Sequence, residues 1–158
     1  MSFIKILGIG SPFGDDQVGW LVAEGLKKEL DLSPDIDRKV SVECHDRPGL
    51  RLIELLDSQQ VVFLIDAVKS GGTIGTIHHL KNSEIYTLKN ALSTHAIGVV
   101  QALQLANSLD VLPEHIILYG IEIGDATTFP STLSKSIEKT IPLVIAQLKR
   151  ELDCFLEH

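Results

Sequence analysis

The chain is expected to fold as a single-domain, three-layer α/β sandwich in which about five mostly parallel strands are flanked by helices. Three observations predict this. Its 158 residues are enough for one domain with a sizeable core. Short apolar runs alternate with longer segments whose apolar residues recur at helical spacing, the pattern of strand–helix–strand units. One run, VVFLIDAV (Val61 to Val68), is apolar without alternation, as a strand covered on both faces of a parallel sheet should be.

The elements follow in order. Phe3 to Ile9 is a short apolar run ending beside glycine, a buried strand. Gln17 to Leu30 carries Val18, Leu21, Val22 and Leu26 at helical spacing, with charge on the opposite face. Leu32 to Asp37 reads as a loop, and Val40 to Asp46 alternates like a strand. Pro48 opens a helix bearing Leu50, Ile53 and Leu56, since proline suits a first helical turn. After the Val61–Val68 strand, GGTIGTIHHL (Gly71 to Leu80) reads as a turn and another strand. Ser93 to Leu109 is a helix with Ser93 or Thr94 as its cap. His115 to Ile123 is the last strand, and Ser134 to Phe155 a long closing helix in which Pro142 should produce a kink or break. One domain therefore occupies residues 1–155, and Leu156-Glu157-His158 resembles the stub of an expression tag.

Composition narrows the function. The net charge of −7, from 14 basic and 21 acidic residues, disfavours nucleic acid as a partner. No apolar stretch approaches the ~20 residues of a membrane span, and the N-terminus lacks a signal-peptide pattern. Cys44 and Cys154 stand far apart and outside any CxxC spacing, which fits a reduced, cytoplasmic protein.

The chemistry concentrates in GIGSPFGDDQVG (Gly8 to Gly19). Gly8, Gly10 and Gly14 are one residue too widely spaced for a dinucleotide fingerprint, and Asp46 is too far along to be its ribose-binding acid. Asp15 and Asp16 at a helix start would also cancel the positive potential that phosphate needs. A plainer role, that these acids merely stabilise the helix, is open to them. Ligands of open α/β sheets sit beyond the carboxyl ends of the strands. Asp16 follows the first strand, and Asp66 ends an apolar one, where a carboxylate is costly unless paired or bound to a cation. His95 opens the STH segment, where a helix N-terminus favours the neutral ring. Two carboxylates and an imidazole suit a divalent transition ion. Singly, Asp66 could be a buried turn-former and His95 a capping-region histidine. Adjacent His78 and His79 point to opposite faces of a strand, as do Cys44 and His45, so neither pair can share a metal. HExxH, GxSxG and paired CxxC motifs are absent. Trp20 and Tyr119 fit core or rim positions better than cofactor stacking.

GIGSPFGDDQVG, LIDAV, STHAIG and YGIEI…TLS occur in the order and spacing of the [NiFe]-hydrogenase maturation proteases, and the chain resembles that family from about Phe3 to Ile145. The resemblance implies a phosphorylase/hydrolase-like α/β fold and a cytoplasmic endopeptidase. Such an enzyme removes the C-terminal extension of the hydrogenase large-subunit precursor once nickel is inserted. It also implies that Asp16, Asp66 and His95 form the nickel-recognition site, the ion arriving with the precursor. Asp15 and Asp46 are the candidate catalytic or substrate-contacting acids. The chain departs from the family pattern at Ser11 (usually Asn), Gln17 (usually Gly), Asp46-Arg47-Pro48-Gly49 (commonly DGGT) and Glu122 (usually Pro). Departures in loops near a cleft bear on which hydrogenase is processed. The competing class is a nickel-binding accessory protein, or a small-ligand-binding module on a similar fold, without enzymatic activity.

Overall fold

The computed structural model describes residues 4–32, 39–56, 61–88, 98–124 and 132–157. Strands β1 (Ile4–Gly10), β2 (Val40–Asp46), β3 (Val61–Val68), β4 (Ile77–Lys81) and β5 (His115–Glu122) form one sheet in the order β2-β1-β3-β5-β4. Four strands run parallel, and β4 pairs antiparallel on the outer side of β5. The mostly parallel five-stranded sheet is as expected, and β2 and β3 have the anticipated bounds.

The period of two along the strands sorts apolar side chains to two faces. Ile4, Ile6, Phe63, Ile65, Tyr119 and Ile121 pack against helices α1 (Val18–Leu30) and α4 (Lys135–Leu156). Leu7, Ile9, Val62, Leu64, Ile116 and Leu118 pack against α2 (Leu52–Leu56), α3 (Val99–Ser108) and the 3₁₀ segment Asn82–Leu88, which sequence patterning did not mark. No helix among the described residues is long and apolar enough to cross a membrane.

Three expectations change. The helix near Ser93 begins only at Val99, because Gly98 is extended (φ −83°, ψ 173°) and its carbonyl accepts the first bond, from Ala102 N–H at 3.1 Å. His95 therefore precedes this helix by position rather than opening it, and residues 89–97, with the proposed caps Ser93 and Thr94, lie outside the described residues. Helix α4 continues through Pro142 without a break. Pro142 is exposed, so water can serve the carbonyl that its missing N–H leaves unbonded. The helix after Pro48 starts as a 3₁₀ turn, Gly49–Arg51, before becoming α2. Of the loop expected over Leu32 to Asp37, all but Leu32 falls outside the described residues.

The chain leaves β1 for β2 on one side and returns to β3 on the other. Such a reversal opens a crevice at the carboxyl ends of β1 and β3. Helix α1 lies against this crevice because Gly19 has no side chain. A Cβ there would stand 2.2 Å from the Ile9 carbonyl oxygen and 2.6 Å from that of Ile65. An exposed helical Gly→Ala change gains about 1 kcal/mol of helix propensity. Here the sign reverses. Gly19→Ala is expected to cost about 2–3 kcal/mol, lowering the melting temperature by about 4–12 °C. Thermal unfolding followed by circular dichroism checks it; an unchanged melting temperature would refute backbone-to-backbone packing here.

Candidate functional site at the carboxyl edge

The glycine loop turns over the end of β1 and delivers a four-residue 3₁₀ turn, Gly14–Gln17. Gly10 must be glycine, since a Cβ would lie 2.5 Å from the Asp16 carbonyl oxygen. Gly14 takes φ +52° to start the turn. Ser11, the residue standing where the family pattern has asparagine, closes the loop. Its N–H donates to the Asp16 carbonyl at 3.3 Å and its hydroxyl to Asp16 Oδ2 at 2.5 Å. These bonds hold Asp16 near enough to the end of β3 for its charge to act on Asp66.

Asp66 comes from the next strand. It sits on the same sheet face as Leu64 and pairs in register with Gly120 of β5. Only 8% of it is exposed, and among the described residues its Oδ1 has no hydrogen-bond partner. Burial pushes this carboxyl well above the usual range, and the negative charge of Asp16 pushes it further. The Ala67 backbone amide pulls the other way. Two neighbouring carboxylates, one with an orphaned buried oxygen, form a pocket of negative potential that a cation would relieve.

Asp16 and Asp66 are the members of the expected ligand set that the structure brings together; His95 lies outside the described residues. Among the described residues, no three His, Cys, Asp or Glu side chains gather closely enough to hold a metal ion.

The neighbouring acids have other attachments. Asp15 turns to α4, accepting the Ser134 N–H at 2.7 Å and the Ser134 hydroxyl at 2.9 Å. Ser134 is the N-cap of α4, yet its hydroxyl makes no cap bond and serves Asp15 instead. The Asp15 charge so lies at the positive end of a 22-residue helix. Sequence patterning found this serine only as a helix start. Ser134→Ala, which removes a hydroxyl bond to a charged acceptor, is expected to cost about 1–2 kcal/mol, with Ser134→Thr restoring most of it. Urea midpoints of the two variants decide the point. Asp46 is exposed at the end of β2 and accepts the Arg47 Nε–H at 2.6 Å.

Other polar groups are structural. Glu122, in place of the family's proline, is 1% exposed. It accepts the Ser70 N–H at 2.8 Å, the Ser70 hydroxyl, and His78 Nε2 at 3.0 Å. Burial raises this carboxyl, but the Ser70 and His78 bonds outweigh it and hold it below its ordinary value. His79 points to the opposite face, to Glu151 at 2.8 Å, so the adjacent histidines diverge as expected. Trp20 donates its indole N–H to the His45 carbonyl at 2.9 Å, and Tyr119 is buried in the core.

Comparisons with known proteins agree with this architecture. A hydrogenase expression/formation protein HupD from Thiocapsa roseopersicina is 26% identical over 141 residues, 87% of this chain, and the chain spans about 62% of that protein's length. The hydrogenase maturating endopeptidase HybD from E. coli superposes with a TM-score of 0.78 at 21% identity, covering 97% of this chain and 93% of that one. The [NiFe] hydrogenase maturation protease HycI from Thermococcus kodakarensis KOD1 gives a TM-score of 0.65 at 25% identity, covering 96% and 93%. A family model described as hydrogenase maturation protease matches residues 47–151. With its glycine loop, its strand-end acid and that match in hand, the chain belongs to the hydrogenase maturation protease family.

Proposed function

We propose that this chain is a cytoplasmic endopeptidase that removes the C-terminal extension of a [NiFe]-hydrogenase large-subunit precursor after nickel insertion. Nickel carried by the precursor serves as its recognition element. The observation that carries the reading is Asp66. An acid is buried at a strand end, one of its oxygens without a partner among the described residues, beside a second acid that raises its proton affinity. Such a group costs stability unless something positive meets it during function.

Asp16 and Asp66 would supply two oxygen ligands and His95 an imidazole. That set leaves room for ligands from the substrate and lacks the thiolates of a tight resident site. When present, the ion would hold the scissile bond near the cleft, converting an encounter into a positioned reaction. The protein's own part is to keep both carboxylates aimed at one point. Ser11 fixes Asp16 from the loop side, and strand pairing with β5 fixes Asp66.

The test is incubation with a nickel-loaded large-subunit precursor, followed by mass measurement. Loss of a mass equal to the C-terminal extension is the expected result. A precursor that keeps its full mass with enzyme in excess would refute the proposal.

A further inference from the structure

We infer that Arg47 reads a carboxylate on the precursor segment entering the cleft, and so helps set which precursor is accepted. This rests on the processing role proposed above and adds a specificity-determining residue to it.

Three separate observations carry it. First, Arg47 has φ +42°, in the left-handed region that side chains disfavour and glycine adopts freely. The commoner DGGT pattern has glycine at this place. An arginine kept at a strained position points to a use for the side chain. Second, the guanidinium is held ready. Its Nε–H donates to Asp46 Oδ1 at 2.6 Å, and Cζ lies 5.9 Å from the centroid of the Phe13 ring. Among the described residues that Nε–H is the guanidinium's one hydrogen bond, so its Nη donors are available to an incoming acceptor. Third, the place is right. The Arg47 N–H donates to the Gly10 carbonyl at 3.1 Å, pinning its loop to the glycine loop, and its charge is within electrostatic reach of Asp16.

Phe13 is 62% exposed and Leu50, three residues after Arg47, is 50% exposed. An exposed aromatic beneath a guanidinium is the kind of anchor that dominates protein interfaces. The acids Asp15, Asp16, Asp46 and Asp66 would repel an acidic peptide from this edge. Arg47 supplies the charge that admits one carboxylate there, and its planar fork suits that acceptor. The occupant is accordingly an extended precursor segment bearing an acidic side chain next to an apolar one.

The experiment uses the full chain and nickel-loaded precursor, with binding and cleavage measured separately. Arg47→Gly removes the guanidinium and relieves the backbone. It is expected to weaken precursor binding about tenfold, a loss that narrows at high salt, while the melting temperature stays at or above that of the wild type. Arg47→Lys, which keeps charge without the fork, should fall between. Replacing the precursor's acidic side chains by amides one at a time should reveal one whose loss weakens the wild type equally and adds nothing to Arg47→Gly. Wild-type binding by Arg47→Gly, weakening that merely follows a lowered melting temperature, or additive effects for every precursor acid would each overturn the assignment. A wild-type chain that binds through Arg47 but never cuts sinks the processing role alone. One that cuts, and binds equally well with glycine at 47, sinks the role of Arg47 alone. No binding by the wild type overturns both.

Discussion

Enzyme stripped with chelator, then freed of it, is expected to cut a nickel-loaded large-subunit precursor and leave the metal-free precursor intact. On the proposed reading, Asp16, Asp66 and His95 are half of a coordination set, and the precursor's own ligands complete it. Carboxylates and one imidazole without thiolate hold a borderline ion weakly, so washing the enzyme removes nothing the reaction needs. The metal-free precursor lacks the group that meets the buried acid, and its scissile bond is not positioned. Losing such positioning costs several orders of magnitude in rate, because effective molarities of well-oriented groups reach roughly 10⁵ M or more. Cleavage of both precursors at the same bond and at similar rates would refute metal gating. Tight nickel binding by the isolated chain, with no cleavage, would favour an accessory role.

The second large effect concerns Asp66. Asp66→Asn is expected to reduce processing more than about 100-fold, since even outer partners of metal ligands cost 10–100-fold when removed. It should nevertheless melt no lower than the wild type at neutral pH. The sign follows from linkage. Burial and Asp16 raise the Asp66 carboxyl in the folded state, so between the unfolded and folded values the native protein binds the extra proton. The contribution of Asp66 to stability is therefore fully present below the unfolded value, near 3.9, and is lost as pH rises through the folded value. The variant has no such dependence. Any advantage of Asp66→Asn at neutral pH should shrink as pH falls toward 4, measured as the difference between the two melting temperatures. An advantage that grows on acidification, or a variant that still processes precursor, would contradict this account of the residue.

Much of the architecture was legible because it depends on local patterns. The continuous apolar run Val61–Val68 marked the central strand, and alternation marked Val40–Asp46. Glycines after the first strand marked the tight turn in which Gly10 and Gly14 are required. What patterning missed is non-local. Nothing near Ser134 indicates that its hydroxyl serves Asp15 rather than its own helix. Glu122 departs from the family's pattern, but its partners come from Ser70 and from β4. The antiparallel setting of β4 beyond β5 is likewise a choice made by tertiary packing. The late start of α3 was obscured because Gly98 carries no local signal separating an extended cap from a helical residue. Asp15 and Asp16 show the same limit. Sequence singled out Asp16 for the cleft, yet gave no sign that the 3₁₀ turn ties Asp15 to the start of α4.

The bond between Asp15 and Ser134 spans 119 residues, and this has a consequence for the order in which the protein becomes competent. During synthesis the glycine loop emerges before α4 does. Its neighbouring turn, however, gains its anchor only when α4, 119 residues further on, has docked. That helix also brings Ile137, Val144, Leu148 and Leu152, which seal one face of the sheet over α1 and β1. Contacts this distant in sequence form late, because the chain between them must first be ordered. A chain in which α4 has not yet docked can therefore carry every acid of the cleft while Asp15 still lacks its anchor.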